Sequence, residues 1–221
     1  SGGSNASKAP HGCIWTKQIA PALQWIRAFL AMQSGAIERI FTLQAHRGGG
    51  QQVLMCTDAC PWGFGAALFI DGKAVSYFAE ELRDSDFELF ESDRGSASGQ
   101  QIWEALAILV SMRLWSSFWR TSRITLEVRS DNVTALTMLT SMRVHGKGLA
   151  LIARELALDI GSGVYRPDVC AHSPGVAHVV ADALSRKFAP DVDSVLPPCL
   201  AAADEVAAPS RLLLDGYYKS L

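Results

Sequence analysis

Four carboxylates stand where an acid is hard to place on structural grounds alone. Asp58 ends QVLMCTD, an apolar, β-prone run; Glu104 interrupts the apolar helix run IWEALAILV; Asp131 follows the strand-like LEVRS; and Asp182 lies inside HVVADALSR. A charge beside an apolar run is costly unless something offsets it. Each acid also has a structural reading. Asp58 can cap a turn, Asp131 can cap a helix N-terminus, Asp182 can lie on a solvated face, and Glu104 can share an exposed side with Gln100, Gln101 and Ser111. Jointly the acids say more. In an α/β sheet, parallel neighbours bring their strand ends to one edge, which sets Asp58 beside Asp131. Two bare carboxylates about 4 Å apart repel by roughly 4 kcal/mol at an effective dielectric near 20, so one takes a proton or a cation sits between them. An all-oxygen set selects a hard ion, Mg²⁺ or Mn²⁺, over zinc. Two such ions roughly 3.5–4 Å apart serve in-line phosphoryl transfer.

The elements that must position these acids follow from patterning. Strands are expected at Val53–Cys60, Phe64–Ile70 and Ala74–Ala79, with Pro61, Gly63 and Gly65 punctuating the first turn and Asp71-Gly72 forming a hairpin turn. Arg83–Gly99 is acidic, contains Ser and Gly, and reads as a loop. Gln100–Trp119 reads as the longest helix, Arg123–Arg129 as a strand, Asn132–Ser141 and Gly148–Ile160 as helices, Val164–Ala171 as a fifth strand and Ala177–Lys187 as a last helix. The order βββαβααβα is that of an α/β domain, with hairpin-linked strands first and crossover units after. Residues 1–50 read as a helical N-terminal extension or the end of an upstream domain: 1–7 are a flexible tip, 21–33 a helix, 36–44 a short helix or strand. The domain proper spans 51–188, and the Pro-, Ala- and Asp-rich 189–221 reads as a tail.

The chain has 221 residues, is 49% hydrophobic and carries a net charge of −2, enough apolar material for one core and no bulk signal for a polyanion partner. The distribution is more telling. Residues 71–93 hold eight acids against Lys73 and Arg83, whereas 113–187 hold ten Arg or Lys against six acids. That asymmetry suits a phosphate backbone held over metal ions, and equally an ordinary charge imbalance. Cys13, Cys56, Cys60, Cys170 and Cys199 include no CxxC pair, which argues against a zinc knuckle or a disulfide scaffold. Cys56 and Cys60 read as small core thiols. No apolar run of membrane-spanning length and no signal peptide is visible. A reducing intracellular setting, cytoplasmic or nuclear, is the expectation.

Three segments resemble the ribonuclease H domain of retrotransposon (LTR-type) reverse-transcriptase polyproteins: TDACPWGFGAAL, RSDNVTAL and, most specifically, HSPGVAHVVADALSR. The resemblance covers about residues 51–187, with a weaker likeness to polymerase-connection sequence upstream. It implies a ribonuclease H-like fold, a five-stranded mixed sheet flanked by helices, and hydrolysis of the RNA strand of RNA–DNA hybrids. It implies Asp58, Glu104, Asp131 and Asp182 as the carboxylates holding two Mg²⁺ (or Mn²⁺) ions. It also implies His172 as a mobile loop histidine that aids proton transfer or product release, although His172 reads equally as a turn residue ahead of Pro174. An upstream polymerase domain is the implied partner. The family usually has Asn where this chain has His178, which reads either as a further ligand or as a surface histidine at a helix start.

A hybrid is recognised by shape rather than by sequence. Arg143, Lys147, Arg154, Arg186 and Lys187 are candidate phosphate contacts, with solvated helix faces the alternative. Trp62 and Trp103 read as core or rim aromatics, with base stacking the alternative. Two other functions compete with hybrid hydrolysis: an inactive module that positions nucleic acid for an adjacent polymerase, and a nuclease or integrase-like member of the same fold acting on DNA.

Overall fold

The computed structural model describes residues 50–161, 167–173, 178–190, 192–193, 195–209 and 211, together with Ala20, Leu23, Gln24, Ile26, Arg27, Leu30 and Ala31. The chain divides into a unit of residues 1–38 with 214–221 and a unit of residues 39–213. In the first unit, Leu23, Gln24, Ile26, Arg27 and Leu30 are helical, within the span expected to be helix. The expectations for 1–7 and 36–44 lie outside the described residues.

In the second unit, β1 (Gln51–Cys60), β2 (Gly63–Ile70) and β3 (Lys73–Glu81) form an antiparallel meander. The turn between β2 and β3 takes Asp71 and Gly72 at φ 48° and 79°, the left-handed pair that a two-residue hairpin with the sheet's twist requires. Next come α1 (Asp84–Phe90), α2 (Gln100–Leu114), α3 (Ser116–Thr121), β4 (Ile124–Ser130), α4 (Val133–Ser141), α5 (Lys147–Gly161), β5 (Val169–His172) and α6 (Val179–Ser185). A two-residue strand, β6 (Asp204–Glu205), completes a sheet of order β5-β4-β1-β2-β3-β6, in which β4 and β5 run parallel to β1 and β6 parallel to β3. The sheet is mixed and flanked by helices, as expected, with six strands in place of the five expected.

The core sits between the sheet and α2, whose residues 103–112 are all buried. Trp103 and Trp119 are among the largest fully enclosed side chains, and Trp103 lies edge-on to Phe87 and Phe90. Trp103 is therefore a core aromatic, while Trp62 is half-buried in the turn after β1.

Several elements depart from the sequence expectation, each for a local reason. The acidic stretch 83–99 contains α1, because the Asp86 carboxylate caps the Arg83 amide (2.7 Å) and buries Phe87 and Phe90 on one face. The long helix ends at Leu114: Trp115 is buried and its indole donates to Ser76 Oγ (3.2 Å), which turns the chain before α3. In β5, the part expected at 164–166 lies outside the described residues. Asp168 stands in for a strand residue, its amide donating to the Leu126 carbonyl (2.9 Å) and its carboxylate accepting the Leu126 amide (2.8 Å). Part of the expected tail is structured. Leu200 is 1% exposed against Tyr77 and Leu184, and the Val206 amide bonds the Tyr77 carbonyl (2.9 Å) beyond β6. No described helix is long and apolar enough to cross a membrane.

A buried charge network fastens this end of the unit. Arg113 on α2 meets Glu155 (2.5 Å) and Asp159 (2.6 Å) on α5 and donates to the Arg211 carbonyl (2.8 Å). The Arg211 guanidinium pairs in turn with Asp86.

Candidate metal centre

Parallel pairing of β1 with β4 sets Cys56 opposite Arg129, so two residues further on Asp58 is level with Asp131. Asp131 follows the last residue of β4, and its neighbours keep its carboxylate out of other duties. Asn132, not Asp131, caps α4, its side chain accepting the Ala135 amide (3.1 Å). The Asn132 amide in turn donates to Ser130 Oγ (3.1 Å). Glu104 reaches the same point from α2 across the sheet. It is 1% exposed, so the exposed-face reading does not hold: nearly the whole circumference of α2 is enclosed.

One ligand oxygen from each of Asp58, Glu104 and Asp131 lies within 4.8 Å of the others. Neutral donors orient two of the three. Glu104 Oε1 accepts the Ala59 amide (3.3 Å) and the Gln100 side-chain amide (2.9 Å), while Oε2 accepts Ser130 Oγ (3.4 Å). Asp58 Oδ2 accepts the Ser185 hydroxyl (2.6 Å). Gln100 also donates to the Ala59 carbonyl (2.5 Å), bridging helix and strand.

Burial is the main influence on both inner acids, and like charge adds to it. The Glu104 carboxyl is pushed up to about 9, first by desolvation and then by Asp58 and Asp131. Asp58 rises to about 6, first by desolvation; the Ser185 hydrogen bond lowers it, Asp131 raises it, His178 lowers it and Asp182 raises it. Carboxyls whose ionisation is opposed by desolvation and mutual repulsion are relieved by a cation in their midst. The donor set is entirely oxygen, so the residues present fit a hard divalent ion and do not fit a soft one.

Asp182, the fourth acid expected here, is not among the three that converge. It lies in the first turn of α6, its side chain is 44% exposed, and it pairs with Arg186 one turn on (2.6 Å). It lies near enough to act on Asp58 electrostatically. His172 ends β5, opposite Ser130, and its Nε2 stands 3.0 Å from the Asp131 carbonyl. His178 departs from the surface reading: it is 4% exposed at the N-cap of α6, and its Nε2–H donates to the Thr57 carbonyl (2.6 Å). A donor engaged with a carbonyl is not a ligand to an ion through that nitrogen.

Of the basic candidates, Arg186 is taken by Asp182 and Lys187 by Glu205 (2.7 Å). Lys147 is nearly fully exposed with a long contact to Glu91 (3.6 Å), Arg143 is exposed and Arg154 half-buried. Arg186 also lies near enough to Asp58 to interact with it electrostatically. Ser185, Gln100 and Ser130 were not legible as site residues, because a neutral side chain on a helix or strand leaves no mark in a hydropathy pattern. The one available signal is spacing: His178, Asp182 and Ser185 fall at i, i+4 and i+7, one face of a helix.

No family model and no curated protein matches the chain. Among solved structures, the chain is similar to LC11-RNase H1, isolated from compost by a metagenomic approach and solved in complex with an RNA/DNA hybrid; identity is 16%, 60% of this chain and 92% of that chain are covered, and the TM-score is 0.47. RNase H1 from the halophilic archaeon Halobacterium salinarum NRC-1 is 17% identical over 65% of this chain and 100% of that one, with a TM-score of 0.41. Prototype foamy virus protease-reverse transcriptase is 13% identical over 78% of this chain and 21% of that one, with a TM-score of 0.38.

Proposed function

We propose that residues 51–188 are the ribonuclease H domain of a retroelement reverse-transcriptase polyprotein, a metal-dependent endoribonuclease that cleaves the RNA strand of RNA–DNA hybrids. The observation that carries this reading is the convergence of Asp58, Glu104 and Asp131, three carboxylates from three elements, at one rim of a ribonuclease H-like sheet. The likeness of TDACPWGFGAAL, RSDNVTAL and HSPGVAHVVADALSR to that family supports it further.

On this reading Asp58, Glu104 and Asp131 hold Mg²⁺ or Mn²⁺, and Asp182 joins them when its carboxylate leaves Arg186. Two such ions supply activated water and charge neutralisation for hydrolysis of a phosphodiester. Gln100, Ser130 and Ser185 keep the carboxylates aimed, and His172 stands beside Asp131 to take or give a proton near the leaving group. Arg143, Lys147, Arg154, Arg186 and Lys187 contact phosphates, and an upstream polymerase domain presents the hybrid. Residues 1–50 form the extension toward that domain, and the protein works inside the cell.

The test is cleavage of an end-labelled RNA–DNA hybrid with and without Mg²⁺. Cleavage that requires Mg²⁺ and is lost in Asp58→Asn and Asp131→Asn, with folding intact, is the expected result; activity persisting in either variant counts against the reading. The engagement of Asp182 by Arg186 favours one alternative, an inactive module that positions nucleic acid for the polymerase. Hybrid binding without Mg²⁺-dependent cleavage selects that alternative.

A further inference from the structure

We infer that Ser185 is a positioning residue for the Asp58 carboxylate, the side chain that sets which Asp58 oxygen faces the metal; the inference rests on the reading of the three acids as a metal centre. Ser185 is fully buried and a hydroxyl has one proton to give. Its Oγ lies 2.6 Å from Asp58 Oδ2 and 3.0 Å from the Asp182 carbonyl, so the shorter, charge-assisted bond takes the proton.

The surrounding chain is built to bring that hydroxyl within reach. A Cβ on Gly65 would stand 2.6 Å from Leu184 Cβ, and one on Gly63 would stand 3.1 Å from the Ser185 carbonyl oxygen. Glycine at both positions of β2 therefore lets α6 lie directly on the strand. The Cys60 thiol donates to the Ser185 carbonyl (3.1 Å), which fixes the residue from behind. Two turns earlier on the same face of α6, His178 holds the Thr57 carbonyl. Residues 57 and 58 are thus gripped by one helix at two points. With Oδ2 engaged, Oδ1 is the Asp58 oxygen left to turn toward Glu104 and Asp131.

The experiment is Mn²⁺ titration onto the full chain, wild type, Ser185→Ala and Ser185→Cys, with free Mn²⁺ read by electron paramagnetic resonance and thermal unfolding in EDTA measured alongside. Removing an outer partner of a metal ligand commonly weakens affinity on the order of tenfold or more. We expect about a tenfold weaker Mn²⁺ dissociation constant in Ser185→Ala, and a smaller loss in Ser185→Cys, whose thiol is a similar size and a weak donor. A bond that merely fastened α6 would shift the unfolding temperature and leave Mn²⁺ affinity in place. Affinity in folded Ser185→Ala within about twofold of wild type overturns the inference. If Ser185→Ala does not fold, a Ser185→Cys affinity equal to wild type overturns it and a weakened one sustains it. Wild-type protein that binds no Mn²⁺ overturns both this inference and the proposed function, whereas binding indifferent to Ser185 overturns this inference alone.

Discussion

Replacing Glu104 with Gln should stabilise the metal-free protein, although Glu104 is the most enclosed acid of the centre. Burial and the charges of Asp58 and Asp131 lift its carboxyl from an ordinary 4.5 to about 9. A folded-state value raised above the unfolded one contributes stability that is fully present below the unfolded value and is lost as pH rises through the folded value. At pH 7 the unfolded carboxyl has already lost its proton and the folded one retains it, so folding must take up a proton. The interval from 4.5 to pH 7 is roughly 2.5 pH units at about 1.4 kcal/mol each, or ~3 kcal/mol, as an upper figure. Gln removes that penalty and keeps the local bonds. Its oxygen can accept from Gln100 and the Ala59 amide, and its NH₂ can donate to Ser130 Oγ.

The assay is urea unfolding of both proteins in EDTA at pH 5, 7 and 9. The advantage of Glu104→Gln should be about 1 kcal/mol at pH 5, ~3 kcal/mol at pH 7, and larger still at pH 9. Saturating Mg²⁺ should reverse the order, because a cation that binds only the folded wild-type centre stabilises it by mass action. Glu104→Gln that is less stable than wild type in EDTA at pH 7, or a gap that does not widen with pH, refutes the electrostatic account of the centre.

Arg113→Met should destabilise the domain by about 1.5–3 kcal/mol, because it removes the charge-assisted bonds that the guanidinium makes to Glu155 and Asp159; thermal or urea unfolding reads this directly. Gly65→Ala should lift α6 from β2, lowering the unfolding temperature and weakening Mn²⁺ binding together, since the new methyl meets Leu184 Cβ at 2.6 Å. Arg186→Ala should change stability by less than about 1 kcal/mol, because its pair with Asp182 is largely solvated. Among Cys56, Cys60, Cys170 and Cys199, thiol labelling at pH 8 should modify exposed Cys199 first and Cys56 slowly, its thiol being raised by burial to about 11. Equal labelling rates for the two would contradict the burial of Cys56.

What the amino-acid order determines by itself is the set of elements and the oddity of the acids. Period-two runs at 53–60 and 123–129 and the Asp71-Gly72 turn mark the strands, because alternation and left-handed turn residues are local requirements. Acids ending those runs, or interrupting IWEALAILV, stand out because an apolar neighbourhood penalises charge wherever it is. The helix at 84–90 escapes the same reading: its composition is acidic and turn-like, and the burial of Phe87 and Phe90 against Trp103 adds to the Asp86 cap in making it a helix worth forming. Tertiary structure alone decided which acids meet. Parallel register brought Asp58 level with Asp131, and enclosure of α2 on nearly all sides turned Glu104 from an exposed candidate into the most enclosed carboxyl of the centre. Asn132 took the helix cap and left Asp131 free. Arg186 drew Asp182 aside, and His178 folded inward to Thr57. The donors that aim the carboxylates lie 26 to 127 residues from them in some cases, as with Ser130 and Ser185, and neutral hydroxyls carry no local signature across such distances. Packing, which sums interactions over the whole chain, is the level at which a cluster of acids becomes a site.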